Sequence, residues 1–248
     1  MKHILHPDIS GSMHKIVIHL AGVGGTGSHM LANLAMIAQS MIKIERQPIY
    51  VLAFDPDVVT ENNIGRQGFS PADIGRNKAE VMISRVNRFY SLQWDAEQSL
   101  YDGYATWHHS QRADIVISCV DSVKARKDVW QITADKTTKY WMDIGNDRRT
   151  AQVILGSNGS RKEKQARGTR DILPHFFDEF PDVEDDPDDD TPSCSALESL
   201  NAQDLFVNKI VASYAAHMLW QLLKDFQIDY QGMFINLETM QIRKIPVK

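Results

Sequence analysis

The feature that most constrains the fold is a glycine-rich loop between an apolar run and a helix-forming segment. The loop reads GVGGTGS at 22–28; KIVIHL at 15–20 precedes it, and GSHMLANLAMIAQ at 27–39 overlaps and follows it. The apolar run predicts a buried strand, and the later segment favours a helix. Strand, glycine turn and helix in this order predict a Rossmann-like unit whose backbone N–H groups and helix N-terminus face a phosphate.

The glycine loop alone leaves its ligand open. Its G-x-G-x-x-G spacing is compatible with a dinucleotide or another Rossmann cofactor, and also with a purely structural tight turn. The residues predicted to line the ligand are Gly22, Gly24, Gly25, Thr26 and Gly27. A P-loop is excluded, because no Gly-Lys-Ser/Thr follows the glycines.

The rest of the chain continues the alternation of strands and helices. Periodicity predicts further strands at 49–54, 113–121, 139–145 and 151–156, helices at 76–90, 122–135 and 202–226, and closing strands at 232–237 and 240–247. The pattern disappears over 157–201. We therefore expect one α/β domain over 1–248, a Rossmann-like mixed β-sheet flanked by helices with a C-terminal antiparallel hairpin.

Composition narrows the class of protein. Hydrophobic residues make up 43% and charged residues 24% of the 248 residues, which is ordinary for a globular chain. There is no apolar run of membrane-spanning length and no N-terminal apolar signal, and only two cysteines occur, so the interpretation is a cytoplasmic protein. The net charge of −5 is local, since 178–190 holds nine acidic residues, and no basic face with interleaved aromatics predicts a nucleic-acid partner.

Polar residues after the second strand point to a nucleotide. Asp55 at the strand end can accept a ribose hydroxyl. Arg66 in the next loop and Lys78 at the start of the next helix can both point back to the ligand. Two cations near one nucleotide suit a triphosphate better than a nicotinamide dinucleotide. Asp121, at the end of the strand at 113–121, can hold Mg²⁺ through an oxygen ligand.

Each of these side chains also has a structural interpretation. Asp57 can cap its own loop. Lys78 can lie on a solvated helix face, and Arg66 can be a surface charge. Arg76 and Arg85 are interpreted as surface residues.

The combined motifs resemble the ThiF/MoeB superfamily, the adenylating enzymes that activate ubiquitin and ubiquitin-like proteins. The matching motifs are, in chain order, Gly22-x-Gly24-Gly25-Thr26-Gly27-Ser28, Asp55-x-Asp57-x-Val59-x-x-x-Asn63-x-x-Arg66-Gln67, Asp73-Ile74-Gly75-x-x-Lys78-Ala79 and Cys119-x-Asp121. The closing residues FINLETMQIRKI resemble the family's C-terminal hairpin. Within the superfamily, the pattern is most similar to ThiF-type proteins of the plasmid-associated PRTRC systems.

The resemblance implies a reaction and a role for each motif residue. The C-terminal carboxylate of a β-grasp protein, either a ubiquitin-like modifier or a sulfur carrier, attacks the α-phosphate of MgATP to give an acyl-adenylate and pyrophosphate. The amides of the glycine loop border the nucleotide, and Asp55 binds the ribose, with Asp57 in the same nucleotide site. The charge on the phosphates would be neutralised by Asn63, Arg66 and Lys78, and Mg²⁺ would be bound by Asp121.

The resemblance also concerns the two cysteines. Cys194, in TPSCS at 191–195, lies where some members carry a cysteine that accepts the activated carboxyl group. A reactive thiol and an inert loop cysteine both remain open for it. Cys119 is predicted to be a core residue. The family's structural zinc uses paired C-x-x-C motifs, and this chain has none, so no structural zinc is expected.

The resemblance leaves the assembly and the irregular segment open. Some members supply an arginine from the N-terminal helix of a second subunit, but 1–14 contains no arginine, so a homodimer is expected by analogy only. Histidines 3, 6 and 14 are predicted to lie in a mobile terminus. The segment 157–201 lies where members cross over the partner's tail, and it can order around that tail or remain a flexible charged loop.

Three other functions stay open beside carboxylate activation. One is adenylation of a small molecule or an RNA base at the same ATP site. Another is an NAD-dependent oxidoreductase, since the glycine loop alone is compatible with a dinucleotide. The third is a non-catalytic ATP-binding scaffold.

Overall fold

Eight of the strands form one mixed sheet that is flanked by helices. The structure is a computed structural model, and it describes residues 1–103, 106, 111–134, 137–158, 172–183 and 204–247. The strands are β1 His3–Ile4, β2 Ile16–Ala21, β3 Ile49–Phe54, β4 Asp95–Glu97, β5 Ile115–Ser118, β6 Tyr140–Asn146, β7 Thr150–Ser157, β8 Gln227–Ile228, β9 Tyr230–Asn236 and β10 Gln241–Pro246. The helices are α1 Pro7–Ser10, α2 Gly25–Lys43, α3 Lys78–Tyr90, α4 Val123–Thr133, α5 Phe176–Glu179 and α6 Val207–Asp225, with short 3₁₀ turns at Glu61–Asn63 and Pro71–Asp73.

The strand order brings several loops to one edge of the sheet. The order is β10-β9-β7-β6-β5-β2-β3-β4, parallel from β6 to β4 and antiparallel from β6 to β10. Ala21, the last residue of β2, pairs with Phe54 of β3 and with Ser118 of β5. Because parallel strands end at the same edge, the loops after β2, β3 and β5 emerge side by side, where the strand order switches direction.

The central strands are apolar because both of their faces are covered. All six residues of β2 and all six of β3 are buried. A parallel strand buried on both faces reads as a continuous apolar run rather than an alternating one. His19 is the polar exception in β2, and its ring nitrogens lie 3.3 Å from the Tyr101 hydroxyl and 3.0 Å from the Gln111 carbonyl oxygen.

The predicted fold class, element order and closing hairpin are confirmed, and the differences are local. The helix after the glycine loop begins at Gly25 and runs to Lys43, and β5 ends at Ser118 rather than at 121. The expectation of an irregular segment is wrong only for Phe176–Glu179, where α5 forms; Leu173 and Phe176 are buried. Residues 159–171 and 184–203, which include Cys194, lie outside the described residues.

The prediction of a mobile N-terminus is wrong. β1 pairs with β8 through His3 and Ile4. The His3 side chain is buried, with its Nε2 atom 2.8 Å from the Tyr140 hydroxyl, and the backbone N–H of His6 donates to the same oxygen at 2.7 Å. Two residues are too few to show a strand period, so the sequence pattern carried no signal for β1.

Over the described part of the chain, every helix is too short or too polar to cross a membrane.

Candidate functional site

The glycine loop after β2 is built so closely that two of its positions require glycine. Gly22 has φ +86°, and a Cβ atom there would lie 2.9 Å from the Cys119 carbonyl oxygen. A Cβ atom on Gly27 would lie 1.9 Å from the Gly22 carbonyl oxygen. The first turn of α2 therefore packs directly on the loop, with Gly24 at the N-cap position. This arrangement presents the positive end of a 19-residue helix at the carboxyl edge of the sheet.

Asp55 ties the end of β3 to the glycine loop. Its carboxylate is 5% exposed and accepts hydrogen bonds from the backbone N–H of Val23 at 2.6 Å and of Asp57 at 2.9 Å. Burial raises the pKa of the Asp55 carboxyl, and the two N–H donors oppose that rise. The carboxylate thus holds two loops together at the edge of the site. Its role in ribose binding stays a prediction.

Lys78 and Asp57 form an ion pair beside Asp55. The Lys78 Nζ atom lies 2.8 Å from Asp57 Oδ2, and the two side chains are 10% and 63% exposed. The interpretation of Lys78 as a solvated helix residue is therefore wrong. The carboxylate of Asp57 binds the ammonium group, so it does more than cap its own loop. The pair places a nearly buried cation next to an exposed acid.

Asn77 was not singled out from the sequence, although it organises this corner. Its Nδ2 donates to the carbonyl oxygens of Asp55 at 2.7 Å and Asp57 at 3.1 Å. Its Oδ1 caps α3 by accepting from the backbone N–H of Glu80 at 3.1 Å. Asparagine immediately before a predicted helix is an N-cap signal, and that signal was available in the sequence.

The loop that carries Asn63 and Arg66 packs against the first turns of α2. The backbone N–H of Gly68 donates to Ser28 Oγ at 3.0 Å, and the His29 side chain is hydrogen-bonded to the backbone of Arg66. Arg66 is partly buried, and this burial lowers the pKa of its guanidinium; its role at the phosphates stays a prediction. The Asn63 Oδ1 atom accepts from the backbone N–H of Thr60 at 2.8 Å.

Arg85 anchors the far end of the same loop. Its Nη2 atom lies 2.7 Å from Asp73 Oδ2, and its Nη1 donates to the Gly68 carbonyl oxygen. The sequence interpretation of Arg85 as a surface residue is confirmed, since its side chain is 43% exposed, and the structure adds its two loop contacts. Its half-exposed side chain joins α3 to the loop that carries Arg66.

Two asparagines from distant parts of the chain meet Thr26 in the first turn of α2. The Thr26 Oγ1 atom lies 2.8 Å from Asn146 Oδ1 and 2.9 Å from Asn208 Oδ1. Asn208 is buried and comes from α6, whereas Asn146 ends β6. Nothing local in the sequence marks either residue, because both contacts depend on how β6 and α6 pack against the glycine loop.

Asp121 lies on the loop after β5, beside the glycine loop. Its side chain is exposed, and the preceding Cys119 donates its backbone N–H to the Ala21 carbonyl oxygen at 2.8 Å. Hydrogen bonds and the ion pair thus join the glycine loop, Asp55, Asp57 and Lys78. The loop that carries Arg66 packs against α2, and a role for Arg66 or Asp121 in the same site stays a prediction. No group of three or more His, Cys, Asp or Glu side chains is placed to hold a metal ion among the residues described.

Cys119 packs against the hydrophobic core, as the sequence predicts. Burial raises the pKa of its thiol, so the thiolate fraction is very small at pH 8. We expect iodoacetamide at pH 8 to leave Cys119 unmodified in the native protein and to modify it fully in denaturant, as measured by peptide mass spectrometry. Equal labelling in the two states would contradict the packing of the partly buried Cys119 against the core.

A cavity of about 330 Å³ opens next to the glycine loop. It reaches Gly22 on one side and Pro56, which separates Asp55 from Asp57, on the other. Its apolar lining includes Ala21, Phe54, Leu100, Val120, Ala125, Val129 and Ile132. A flat apolar ring fits such a cleft at the switch point of an α/β sheet.

The fold and the site define a Rossmann-like α/β protein with a glycine-loop site at the carboxyl edge of its parallel strands. The chain belongs to the ThiF family, whose profile matches residues 10–248. The comparison with curated proteins gives no match.

Solved structures share this fold at low sequence identity. A crystal structure of PaaA is similar with a TM-score of 0.66 and 15% identity, over 94% of this chain and 64% of PaaA. Escherichia coli MccB in complex with MccA gives a TM-score of 0.60 and 16% identity, over 96% of this chain and 66% of MccB. A further MccB structure, with ATP, gives 0.60 and 16% over 96% of this chain and 65% of MccB. The chain thus spans slightly less than two thirds of these relatives.

Proposed function

We propose that this protein is an ATP-dependent adenylating enzyme that activates the C-terminal carboxylate of a small protein or peptide. The observation that carries the proposal is the hydrogen bond from the Val23 N–H group to the Asp55 carboxylate. This bond lies beside the apolar cavity and the Asp57–Lys78 pair. Membership of the ThiF family supports it, and so does the fold shared with MccB, which has been crystallised with ATP and with MccA. The closer placement with PRTRC-system proteins and a cytoplasmic location belong to the same proposal.

The cavity and Asp55 provide the nucleoside part of the proposed site. The adenine ring would enter the apolar cleft, where the exposed carboxylates of Asp102 and Asp128 can accept N–H bonds from its amino group. The carboxylate of Asp55 would keep its two backbone donors and accept a ribose hydroxyl through remaining lone pairs. A buried acceptor fixed by two loops needs little reorganisation when the ribose binds.

The reaction needs positioned charges rather than a protein nucleophile. An oxygen of the partner's C-terminal carboxylate forms a bond to the α-phosphorus, the bond from that phosphorus to the bridging oxygen breaks, and pyrophosphate leaves. Negative charge grows on the phosphoryl oxygens as this happens. Lys78, Arg66 and the helix N-terminus at Gly25 would stabilise that charge, while Asn63 would orient the phosphates.

The donor set is compatible with Mg²⁺ bound together with the phosphates. Magnesium in phosphate sites usually takes one or two carboxylates and completes its shell with phosphate oxygens and water. Asp121 supplies one exposed carboxylate at the correct edge of the sheet. When bound there, Mg²⁺ would neutralise phosphate charge and help pyrophosphate to leave.

We further propose a ubiquitin-like or sulfur-carrier β-grasp protein as the partner, with Cys194 as a candidate acceptor of the activated carboxyl group. Both assignments rest on the sequence motifs. The transfer would replace the adenylate on the carboxyl carbon by the cysteine sulfur and release AMP. A homodimer remains part of the proposal by analogy with the family.

The direct test is ATP–pyrophosphate exchange with and without a candidate partner that ends in glycine. We expect exchange that depends on the partner, and a decrease of about 100-fold in the Asp121→Ala variant, since one positioned electrostatic group contributes about that factor. Asp178→Ala, on a half-exposed acid outside the site, is the matched control and should retain full exchange.

The alternatives give different outcomes. Exchange with a small molecule or RNA and without a protein partner would support adenylation of that substrate instead. ATP binding with no exchange for any candidate would favour a scaffold. Binding of NADH, seen as a change in its fluorescence, with no ATP binding would overturn the proposal.

A further inference from the structure

A buried ion pair lies directly beneath the loop that carries Asp121. The Arg126 Nε atom is 3.2 Å from both carboxylate oxygens of Asp143, and the two side chains are 9% and 0% exposed. Asp143 also accepts from Ser118 Oγ at 2.8 Å, and Ser118 Oγ accepts from Trp141 Nε1 at 2.8 Å. The pair therefore joins α4, the end of β5 and the middle of β6.

The remaining donors of Arg126 hold the backbone on either side of Asp121. Nη2 donates to the Val120 carbonyl oxygen at 3.0 Å, and Nη1 donates to the Asp121 carbonyl oxygen at 3.4 Å. Ser122, the next residue, caps α4 by accepting from the Ala125 N–H group at 3.2 Å. The backbone of Asp121 is thus fixed from both directions, while its carboxylate stays exposed at the site.

The surroundings of the guanidinium leave it little room to move. A Cβ atom on Gly145 would lie 2.7 Å from both Arg126 Nη2 and Gln152 Nε2, so a larger residue there would crowd the guanidinium. The Arg126 guanidinium also lies over the Phe176 ring, 5.4 Å from its centroid. Stability alone is a weak reason for such a buried pair, since apolar residues of similar volume often stabilise a core at least as well.

We infer that the Arg126–Asp143 pair is the positioning device for Asp121. Asp143 is fixed in the sheet, and Arg126, which is bound to it, holds the two carbonyl groups on either side of the Asp121 side chain. Neither residue is expected to touch the nucleotide. The inference rests on the proposed function, in which Asp121 is the magnesium ligand. Residues that orient a metal ligand from behind commonly change metal affinity by 10–100-fold.

The test variant is Arg126→Lys, which keeps the charge opposite Asp143 but loses the fork that reaches the two carbonyl groups. We expect hydrogen exchange of the amides at 119–122 to become at least about tenfold faster in the ligand-free protein. We also expect about tenfold more Mg²⁺ to be needed for half-maximal binding of a non-hydrolysable ATP analogue. Binding of that analogue in EDTA should stay within about twofold of the unmodified protein.

Matched variants separate positioning from general stability. Arg46→Lys makes the same chemical change just beyond the C-terminal end of α2, where Arg46 lies over Phe226, and it should alter none of these measurements. Gly145→Ala keeps both charges but crowds the guanidinium and the amide of Gln152, so it should act in the same direction as Arg126→Lys. The double variant Arg126→Met with Asp143→Leu removes both buried charges, and it should fold while still needing more Mg²⁺.

Two outcomes distinguish failure of the inference from failure of the proposed function. The positioning role would be overturned if Arg126→Lys and the double variant both kept the Mg²⁺ requirement of the unmodified protein and its hydrogen exchange at 119–122. If the unmodified protein binds no ATP, the proposed function fails instead. Hydrogen exchange at 119–122 in the ligand-free protein then still decides whether Arg126 holds the loop that carries Asp121.

Discussion

Replacing Gly27 by alanine is expected to lower the free energy of unfolding by about 3 kcal/mol or more. This corresponds to a decrease in Tm of roughly 10 °C. The new Cβ atom would lie 1.9 Å from the Gly22 carbonyl oxygen, which is backbone and cannot rotate away as a side chain can. Either α2 shifts, or the glycine loop opens and loses the hydrogen bond from Val23 to Asp55. Thermal unfolding measures the first effect, and binding of an ATP analogue measures the second.

Gly24→Ala is the matched control for this substitution. A Cβ atom on Gly24 meets nothing within 4 Å, and its φ of −77° lies outside the left-handed region that favours glycine. We expect a loss of about 1 kcal/mol or less, since alanine is only a poorer N-cap than glycine. Equal stability of the two variants would show that the loop and α2 do not pack as closely as described. Normal stability of Gly24→Ala with weakened ATP binding would indicate that the nucleotide approaches Gly24.

Replacing Lys78 by methionine is expected to reduce ATP–pyrophosphate exchange by about 100-fold while leaving stability nearly unchanged. The ammonium group is a nearly buried cation held by Asp57 beside the proposed phosphates, and one such positioned group contributes about that factor to the rate. Its partner Asp57 is 63% exposed, so losing the ion pair should cost about 1 kcal/mol or less in the free energy of unfolding. Exchange kinetics and thermal unfolding of the same preparation check both expectations.

Two further variants make this prediction specific. Asp57→Asn should weaken exchange by about tenfold or less, because Lys78 remains present but loses the acid that orients it. Lys224→Met, on a half-exposed lysine at the end of α6, should leave exchange unchanged. Exchange within twofold of the unmodified protein in Lys78→Met would remove Lys78 from the proposed mechanism.

The order of elements could be predicted because each rests on local information. The six-residue apolar runs of β2 and β3 predict burial on both faces of the sheet, and the glycines at 22–27 predict a tight turn between strand and helix. Parallel strands then necessarily place Asp55 and Asp121 at one edge of the sheet. These inferences need only residue type and spacing, and the structure agrees with them.

The side-chain partners could not be predicted, because they depend on register and packing between distant residues. Val23 and Asp55 are 32 positions apart, and Lys78 and Asp57 are 21 apart. Arg126 lies in a predicted helix and nothing in the sequence marks it, yet its fork is buried against Asp143 from the next strand. A long flexible side chain can face solvent or a buried acid at the same helical position, and only the tertiary structure decides between them.

By itself, then, the sequence determined the Rossmann-like order of strands and helices, the glycine loop and the edge where a nucleotide would bind. These follow from steric and hydrophobic preferences of short segments. The tertiary structure alone decided that Lys78 pairs with Asp57, that two loops converge on Asp55, and that a buried arginine holds the loop of Asp121. The physical reason is that hydrogen bonds and ion pairs are directional and short-ranged, so they exist only once packing has placed both partners.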